Sequence, residues 1–452
     1  MPRPGTSATL YFAFCVAVGL SAICVAEEVA IADAVDTADW TATGAEDVVV
    51  EQVQFGGFRS QAFGRLPFAT TTPQPAPARA AQPTQPRQLL ASAPSTPRRR
   101  RLARTPDMLG DSFLPSLRLT LQSNSASQNM FVNSQLPLAG GSARAKISEN
   151  NKALPNDRFY LNYNHFHNAV RRDVFAGGYG PLVQQTAHVD RFTLGIERTL
   201  LNGDASVGLN LPLTSFPDVD VNNPAPGPAG RFKTSTGTAG NLSLIGKGIL
   251  VNAEDLVVSC GLGIEFPTGE NGALLTGTTL LTVENQSLFL QPFLAMTLDN
   301  GSAFVHSFLQ LDFDVADSPL VVSDVTLPDP SIAVGNITQQ ALIHWDTTAG
   351  VWLARSNDEI GITGIAAIAE FHLSSAVSNG DQLTGFVPTA TGAADFVLGP
   401  AANRFTASYI TTGVHVEIGQ NQNLRVAGVF PLSNGIQKFF DAEVLVQFGR
   451  RY

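Results

Sequence analysis

The sequence predicts an all-β fold: a transmembrane, antiparallel, up-and-down β-barrel of about twelve strands, with fourteen as the alternative count. Three observations carry this. From about residue 158 the chain alternates apolar and polar residues with period two, in segments close to the ~9–11 residues of a tilted membrane strand. The connections between these segments alternate between short and long. Charged residues are 15% of the chain, against about 25% in soluble proteins, and no stretch after residue 30 approaches the roughly 18 apolar residues of a membrane helix. If the chain crosses a membrane, it does so with strands.

Residues 1–26 read as a signal peptide. Arg3 supplies a basic start, Thr9–Ile23 an apolar core, and Cys24-Val25-Ala26 the small residues before a cut at Glu27. Removing this segment leaves Cys260 as the one remaining cysteine, so neither a disulfide framework nor a cysteine metal site is expected. Residues 27–115 read as a disordered Pro/Ala/Arg-rich linker. "TTTPQPAPARAAQPTQP" and "ASAPSTPRRRRLART" lack the apolar surface needed to offset ordering, and Arg98–Arg101 reads as a basic run, either solvated in the linker or in contact with anionic lipid headgroups or an acidic cell-wall polymer. Residues 116–157 read as a periplasmic segment or a plug. "SLRLTLQ" (116–122) and "ARAKISENNKAL" (143–154) are its candidates for a plug or an extra strand.

Residues 158–452 form the barrel. Its expected strands are 158–166, 189–200, 204–213, 240–250, 255–266, 286–298, 302–315, 341–355, 360–375, 405–419, 423–432 and 439–452. Asn202-Gly203 and Asn300-Gly301 are two-residue hairpin signals, because both central residues need positive φ. "VNAED", "SNDE" and "QNQN" are similarly short, whereas 167–188, 214–239, 267–285, 316–340 and 376–404 are long. Short turns on one rim and long loops on the other suit an outer-membrane barrel.

In "FFDAEVLVQFGRRY", Val444, Val446, Phe448 and Tyr452 share one face, and Glu443, Gln447, Gly449 and Arg451 the other. This strand must close the barrel against the first, because lipid tolerates no unpaired edge. The stretches "NDRFYLNYN", "ERTLLNGDASVGLNLPL", "GLGIEFPTGE" and "VLVQFGRRY" resemble a group of outer-membrane transporter barrels loosely related to the phenol-degradation and fatty-acid transporter types. The resemblance implies a bacterial, Gram-negative outer membrane, lipid around the barrel, and recognition of Phe448 and Tyr452 by the barrel assembly machinery. Arg450 departs from it, on a face where an apolar residue is commoner.

Alternation sorts the strand residues into lipid and lumen faces. Leu256, Val258, Cys260, Leu262, Ile264 and Phe266 face lipid. The expected lumen residues include Arg191, Glu197, Gln291, His306, Gln310, His344, Glu370, Glu417 and Arg425. Turn geometry sets Gln291 opposite Gln310, Glu417 opposite Arg425, and His344 opposite Glu370. The luminal acids (Asp190, Glu197, Glu265, Asp312, Asp346, Glu370, Glu417, Asp441, Glu443) outnumber the bases (Arg158, Arg191, Lys247, Arg425), which favours cations.

His306, His344, His372 and His415 fall on luminal positions at different heights, so no metal site is expected, and no cofactor. The net charge of −10 argues against nucleic acid. The expected function is a passive pore or small-molecule transporter with a polar, slightly acidic lumen, and no catalytic residue. Two alternatives stand beside it. His372 and Ser374 could serve an outer-membrane lipid hydrolase, provided both face lipid. A secreted soluble β-protein could instead use the apolar face as its core.

Overall fold

The computed structural model describes residues 102, 104–111, 117–123, 131–136, 144–175, 183–215, 238–276, 279–324, 332–356, 359–389, 392–400 and 403–452. The signal peptide, the Arg98–Arg101 run and the Pro-rich stretches lie outside them. Twelve strands form the barrel wall: β1 (Arg158–Phe175), β2 (Val183–Leu200), β3 (Ala205–Ser215), β4 (Leu242–Asn252), β5 (Leu256–Phe266), β6 (Phe289–Asp299), β7 (Ala303–Asp314), β8 (Leu342–Arg355), β9 (Ile362–Ala376), β10 (Thr406–Ile418), β11 (Gln422–Pro431) and β12 (Ala442–Arg451). Each pairs antiparallel with the next, and β12 closes on β1 from Arg451↔Arg158 to Ala442↔His167. The closed all-β barrel and its twelve strands agree with the sequence expectation.

Burial alternates along the strands. In β5 Val257, Ser259, Gly263 and Glu265 are buried, while Cys260 and Leu262 are exposed on the outside. Phe159, Phe192, Leu194, Ile196, Leu294, Leu309, Val351 and Phe430 are likewise exposed. The exterior is therefore apolar and the interior polar, the reverse of a soluble barrel. Three inward glycines face an aromatic partner on the neighbouring strand. The register pairs Tyr160 with Gly195, Phe293 with Gly261, and Phe304 with Gly350. A Cβ on any of them would lie within about 2.3 Å of a ring carbon. Gly195→Ala should displace Tyr160 from its seat and destabilise the barrel by about 1–3 kcal/mol, the cost of overpacking. An unchanged unfolding temperature would disprove this.

The turns hold the faces but not every register. At Asn202-Gly203 both central residues have positive φ, 59° and 89°, and Leu200 pairs with Ala205, as the hairpin signal requires. At Asn300-Gly301 the side chains intervene. Asp299 Oδ1 accepts the Gly301 amide at 2.6 Å, and Asn300 Oδ1 accepts those of Ser302 and Ala303 at 3.0 and 2.8 Å. These Asx contacts widen the turn, so Asp299 pairs with Phe304 and Gln310 with Phe293 rather than Gln291. Gly419, at φ 59°, shapes the short turn between β10 and β11, and Arg425 pairs with His415 rather than Glu417. β8 and β9 pair four residues away from the expected register, with His344 opposite Ser374 and Glu370 opposite Thr348, and a bulge between Trp352 and Ala354 adds a further one-residue shift only on the turn side. Each slip is by an even number of residues, so no side chain changes face.

Several boundaries also differ. β1 and β2 are 18 residues each and run past the barrel rim into the span expected as a loop. The long loops carry strands of their own. Gly272–Thr276, Thr279–Val283, Ser318–Asp324 and Ile332–Ile337 form a small separate sheet. Leu117–Ser123 pairs with Phe131–Leu136 and with Gly392–Pro400, and Phe131–Ser134 continues onto the outer end of β1. Leu119, Leu281, Leu320, Phe396 and Leu398 are buried together in one apolar cluster at this rim.

Candidate functional site

The barrel interior is occupied by the chain's own N-terminal segment, which runs through it twice. Residues 104–111 form an ascending limb. Arg104 pairs with Glu417 near the short-turn end of β10 (Nη2–Oε2 2.5 Å). Thr105 bonds to Asp299. The Leu109 and Gly110 amides each donate to the Glu370 carboxylate at 2.8 Å, halfway along β9. Thr348 Oγ1 donates to the same carboxylate at 2.7 Å. Asp111 accepts from the Lys146 ammonium at 2.5 Å and approaches His372 Nδ1 at 3.2 Å.

After the strands at the long-loop rim, residues 144–157 form a descending limb. Arg144 stands near Asp312 (3.7 Å) and over the Phe289 ring (4.5 Å). The Ile147 amide donates to Gln310 at 2.8 Å, and Ser148 Oγ to Asp346 at 2.6 Å. Lys152 Nζ donates to the Thr105 carbonyl at 2.7 Å, tying the two limbs together. Asp157 then accepts the Thr199 amide at 2.7 Å, beside the start of β1. The limbs also touch at Gly110, whose φ is +86°. A Cβ there would lie 2.8 Å from Glu149 Cα, so both conformation and space require glycine.

All nine expected lumen residues are buried on the inward face. Rather than lining a water-filled bore, most of them grip the inserted limbs. Arg425 is fully buried and joins three segments: Nη1 donates to the Asp107 and Met108 carbonyls at 2.9 and 3.2 Å, and Nη2 reaches Asn150. Arg191 pairs with Glu149 at 3.0 Å. Glu197 binds Arg158 at 2.7 Å and Lys247 at 3.0 Å. Gln291 donates to the Ala145 carbonyl at 2.9 Å. His306 contacts Thr297 Oγ1, and His344 contacts Ser374 Oγ at 2.8 Å. The four inward histidines do not converge. His415 stacks edge-on against Trp352, with no hydrogen-bond partner for its ring nitrogens among the described residues.

Two expected luminal acids lie elsewhere. Asp190 is on the outer face, where it bonds His165 and Tyr163. Asp441 sits at the rim ahead of β12 with Arg171 and Lys438. Residues 102 and 104–111, assigned to the linker by composition, are ordered inside the barrel. Their apolar pair Met108-Leu109, beside Gly110 and between two aspartates, is the one sequence signal that sets them apart. The hydrolase alternative fails on orientation. His372 faces inward between Asp346 (2.9 Å), Thr411 (3.0 Å) and Glu370 (3.4 Å), and Ser374 faces inward against His344. Neither meets lipid. Asp111, Asp346 and His372 come close enough to suggest a cation site, but the Lys146 ammonium already stands between the two carboxylates, 2.5 and 3.2 Å away.

Fold and interior together define a transmembrane-type β-barrel whose bore is filled by its own N-terminal segment. No protein-family model and no curated protein matches the chain. Among solved structures it is similar to an outer membrane channel from Pseudomonas putida F1 (10% identity, TM-score 0.42, 66% of this chain and 96% of that one). It is also similar to the Ralstonia pickettii toluene transporter TbuX (12%, 0.36, 70% and 98%) and the Pseudomonas putida toluene transporter TodX (9%, 0.35, 66% and 90%). Likenesses at this level assign neither family nor solute.

Proposed function

We propose that this chain is a bacterial outer-membrane channel for small molecules, held closed by its N-terminal segment and opened when the ascending limb lets go of the wall. The observation that carries the reading is the Glu370 clasp. A wall carboxylate takes two consecutive limb amides at 2.8 Å each. Water can replace bonds of this kind, so this carboxylate is where the limb would let go. The exposed apolar exterior supports a lipid setting and argues against the soluble alternative, which would leave an extended apolar surface in water. Phe448 and Tyr452, both on the outer face, suit the assembly role suggested by the sequence.

Hydrogen bonds to a charged group contribute about 1.5–3 kcal/mol each. Glu370→Gln should therefore raise the open fraction about tenfold or more in planar-bilayer recordings of the refolded protein. Deleting residues 102–111 should give sustained conductance. Buried wall acids such as Glu265, Asp312 and Glu443 outnumber the buried wall bases, so the open state should prefer cations, read as the reversal potential in a salt gradient. A deletion variant that assembles as a heat-resistant barrel yet stays silent at all voltages would refute the channel.

A further inference from the structure

Three of the seven histidines meet on the outside of the barrel, apart from everything that holds the limbs. His165 and His167 stand two residues apart on one face of β1, and His188 projects beside them from β2. One ring nitrogen from each lies within 4.8 Å of the others. The His167 and His188 rings are 4.5 Å apart and those of His165 and His188 5.4 Å apart, centroid to centroid. The local backbone creates the meeting. The β1–β2 register shifts between Phe166 and Val170, where Asn168 takes a φ of +53°, and this bulge sets His167 against His188.

We propose that His165, His167 and His188 form a binding site for a divalent transition-metal ion of the Zn²⁺ class. Three imidazoles are a sufficient protein ligand set for such an ion, with a fourth position left to water or another oxygen donor. The surroundings already have the form of a second coordination layer. His165 Nδ1 lies 2.8 Å from Asp190 Oδ1, and Tyr163 OH donates to the same oxygen at 2.8 Å. An imidazole that donates Nδ1–H to a carboxylate presents the Nε2 lone pair outward, oriented and more basic. His188 Nδ1 accepts the Asn168 amide at 3.3 Å, a long bond that metal binding would replace. Tetrahedral coordination brings neighbouring nitrogens to about 3.4 Å, so modest side-chain rotation completes the site.

Its position makes the site reachable. His167 pairs with Ala442, the first residue of β12, so the histidines lie at the long-loop end of the closing seam. They stand above the aromatic pair Tyr163–Phe192, whose centroids are 4.9 Å apart, where the apolar exterior gives way to the interface. An ion can enter from the aqueous side without crossing the filled interior.

The test uses untagged, full-length protein refolded in detergent and titrated with Co²⁺, followed by displacement with Zn²⁺. The expected result is one equivalent of Co²⁺ with the visible absorption of a tetrahedral nitrogen site, bleached by Zn²⁺. His167→Ala and His188→Ala should each weaken binding about tenfold or more, and Asp190→Asn, the orienting change, by about 10–100-fold. All three side chains are at least partly solvent-exposed, so the variants should keep their heat-resistant barrel, which gel mobility checks. Equal Co²⁺ affinity in the His167→Ala/His188→Ala double variant, or no binding by the parent protein up to millimolar Co²⁺, would overturn the site.

Discussion

Deleting Phe448–Tyr452 should leave a chain that is exported but does not assemble. The deletion removes the pairs Phe448↔Leu161, Gly449↔Tyr160, Arg450↔Phe159 and Arg451↔Arg158, and on the other side those to Leu424, Asn423 and Gln422. Backbone groups at two strand ends would then face lipid with no partner, at several kcal/mol each. The same change removes the Arg451–Glu417 contact (3.4 Å) and the Tyr452 ring, which lies 5.5 Å from the Arg198 guanidinium. The readout is the amount of heat-resistant barrel in the outer-membrane fraction, with near-complete loss expected. Normal levels of folded barrel would show that the seam does not depend on these residues.

Arg425→Met should have the largest effect of any single interior substitution. The side chain has no exposed surface, and its guanidinium serves two carbonyls of the ascending limb and Asn150 of the descending one. Methionine fills much of the volume but takes the guanidinium donors away from the two limb carbonyls, while Asn150 keeps Arg158 at 3.3 Å. Breaking a buried charged contact costs about 3–5 kcal/mol. Asp107, whose carboxylate lies 3.6 Å from the Arg425 guanidinium, keeps Arg158 at 3.1 Å and Lys152 at 3.5 Å, which places the effect at the lower end, about 3 kcal/mol. The expected result is a lowered denaturation midpoint together with faster proteolytic cleavage within 102–111. Arg425→Lys, which keeps the charge but not the fork, should fall between the two. An unchanged midpoint and unchanged cleavage would mean that the limb is held elsewhere.

Period-two alternation made the wall legible, and it did so face by face. Each strand has to put its apolar residues toward lipid, so Val257 and Cys260, or Val444 and Glu443, could be sorted without knowing their neighbours. Pairing was less legible because it is decided by a few atoms at each turn. Asn202-Gly203 follows its dipeptide, but at Asn300-Gly301 the preceding Asp299 and the Asn300 side chain capture the amides and widen the loop. The ascending limb was nearly illegible, with only Met108-Leu109 between two aspartates to mark it. Its order comes from Glu370, Arg425 and Glu417, which lie hundreds of residues further along the chain, whereas its own composition matches the linker before it. The outer histidines went unnoticed because two of them sit in a span expected as a loop. Only the extension of β1 and β2 past the barrel rim, with the bulge at Asn168, brings them together.

The two interior limbs also bear on how the molecule is made. They are joined at the far rim by Leu117–Ser123 and Phe131–Leu136, which are stitched to Gly392–Pro400 and to β1. The descending limb passes directly into β1, so it cannot be drawn out without unpairing the wall. The expectation is that the sheet closes around the descending limb as around a mandrel, with the β1–β12 seam zipped last. Loosening the limbs' polar grip then carries a kinetic penalty as well as an equilibrium one. A variant whose finished barrel is nearly as stable as the parent can still be made in poor yield, because the object that sets the curvature of the closing sheet is missing when the seam has to form.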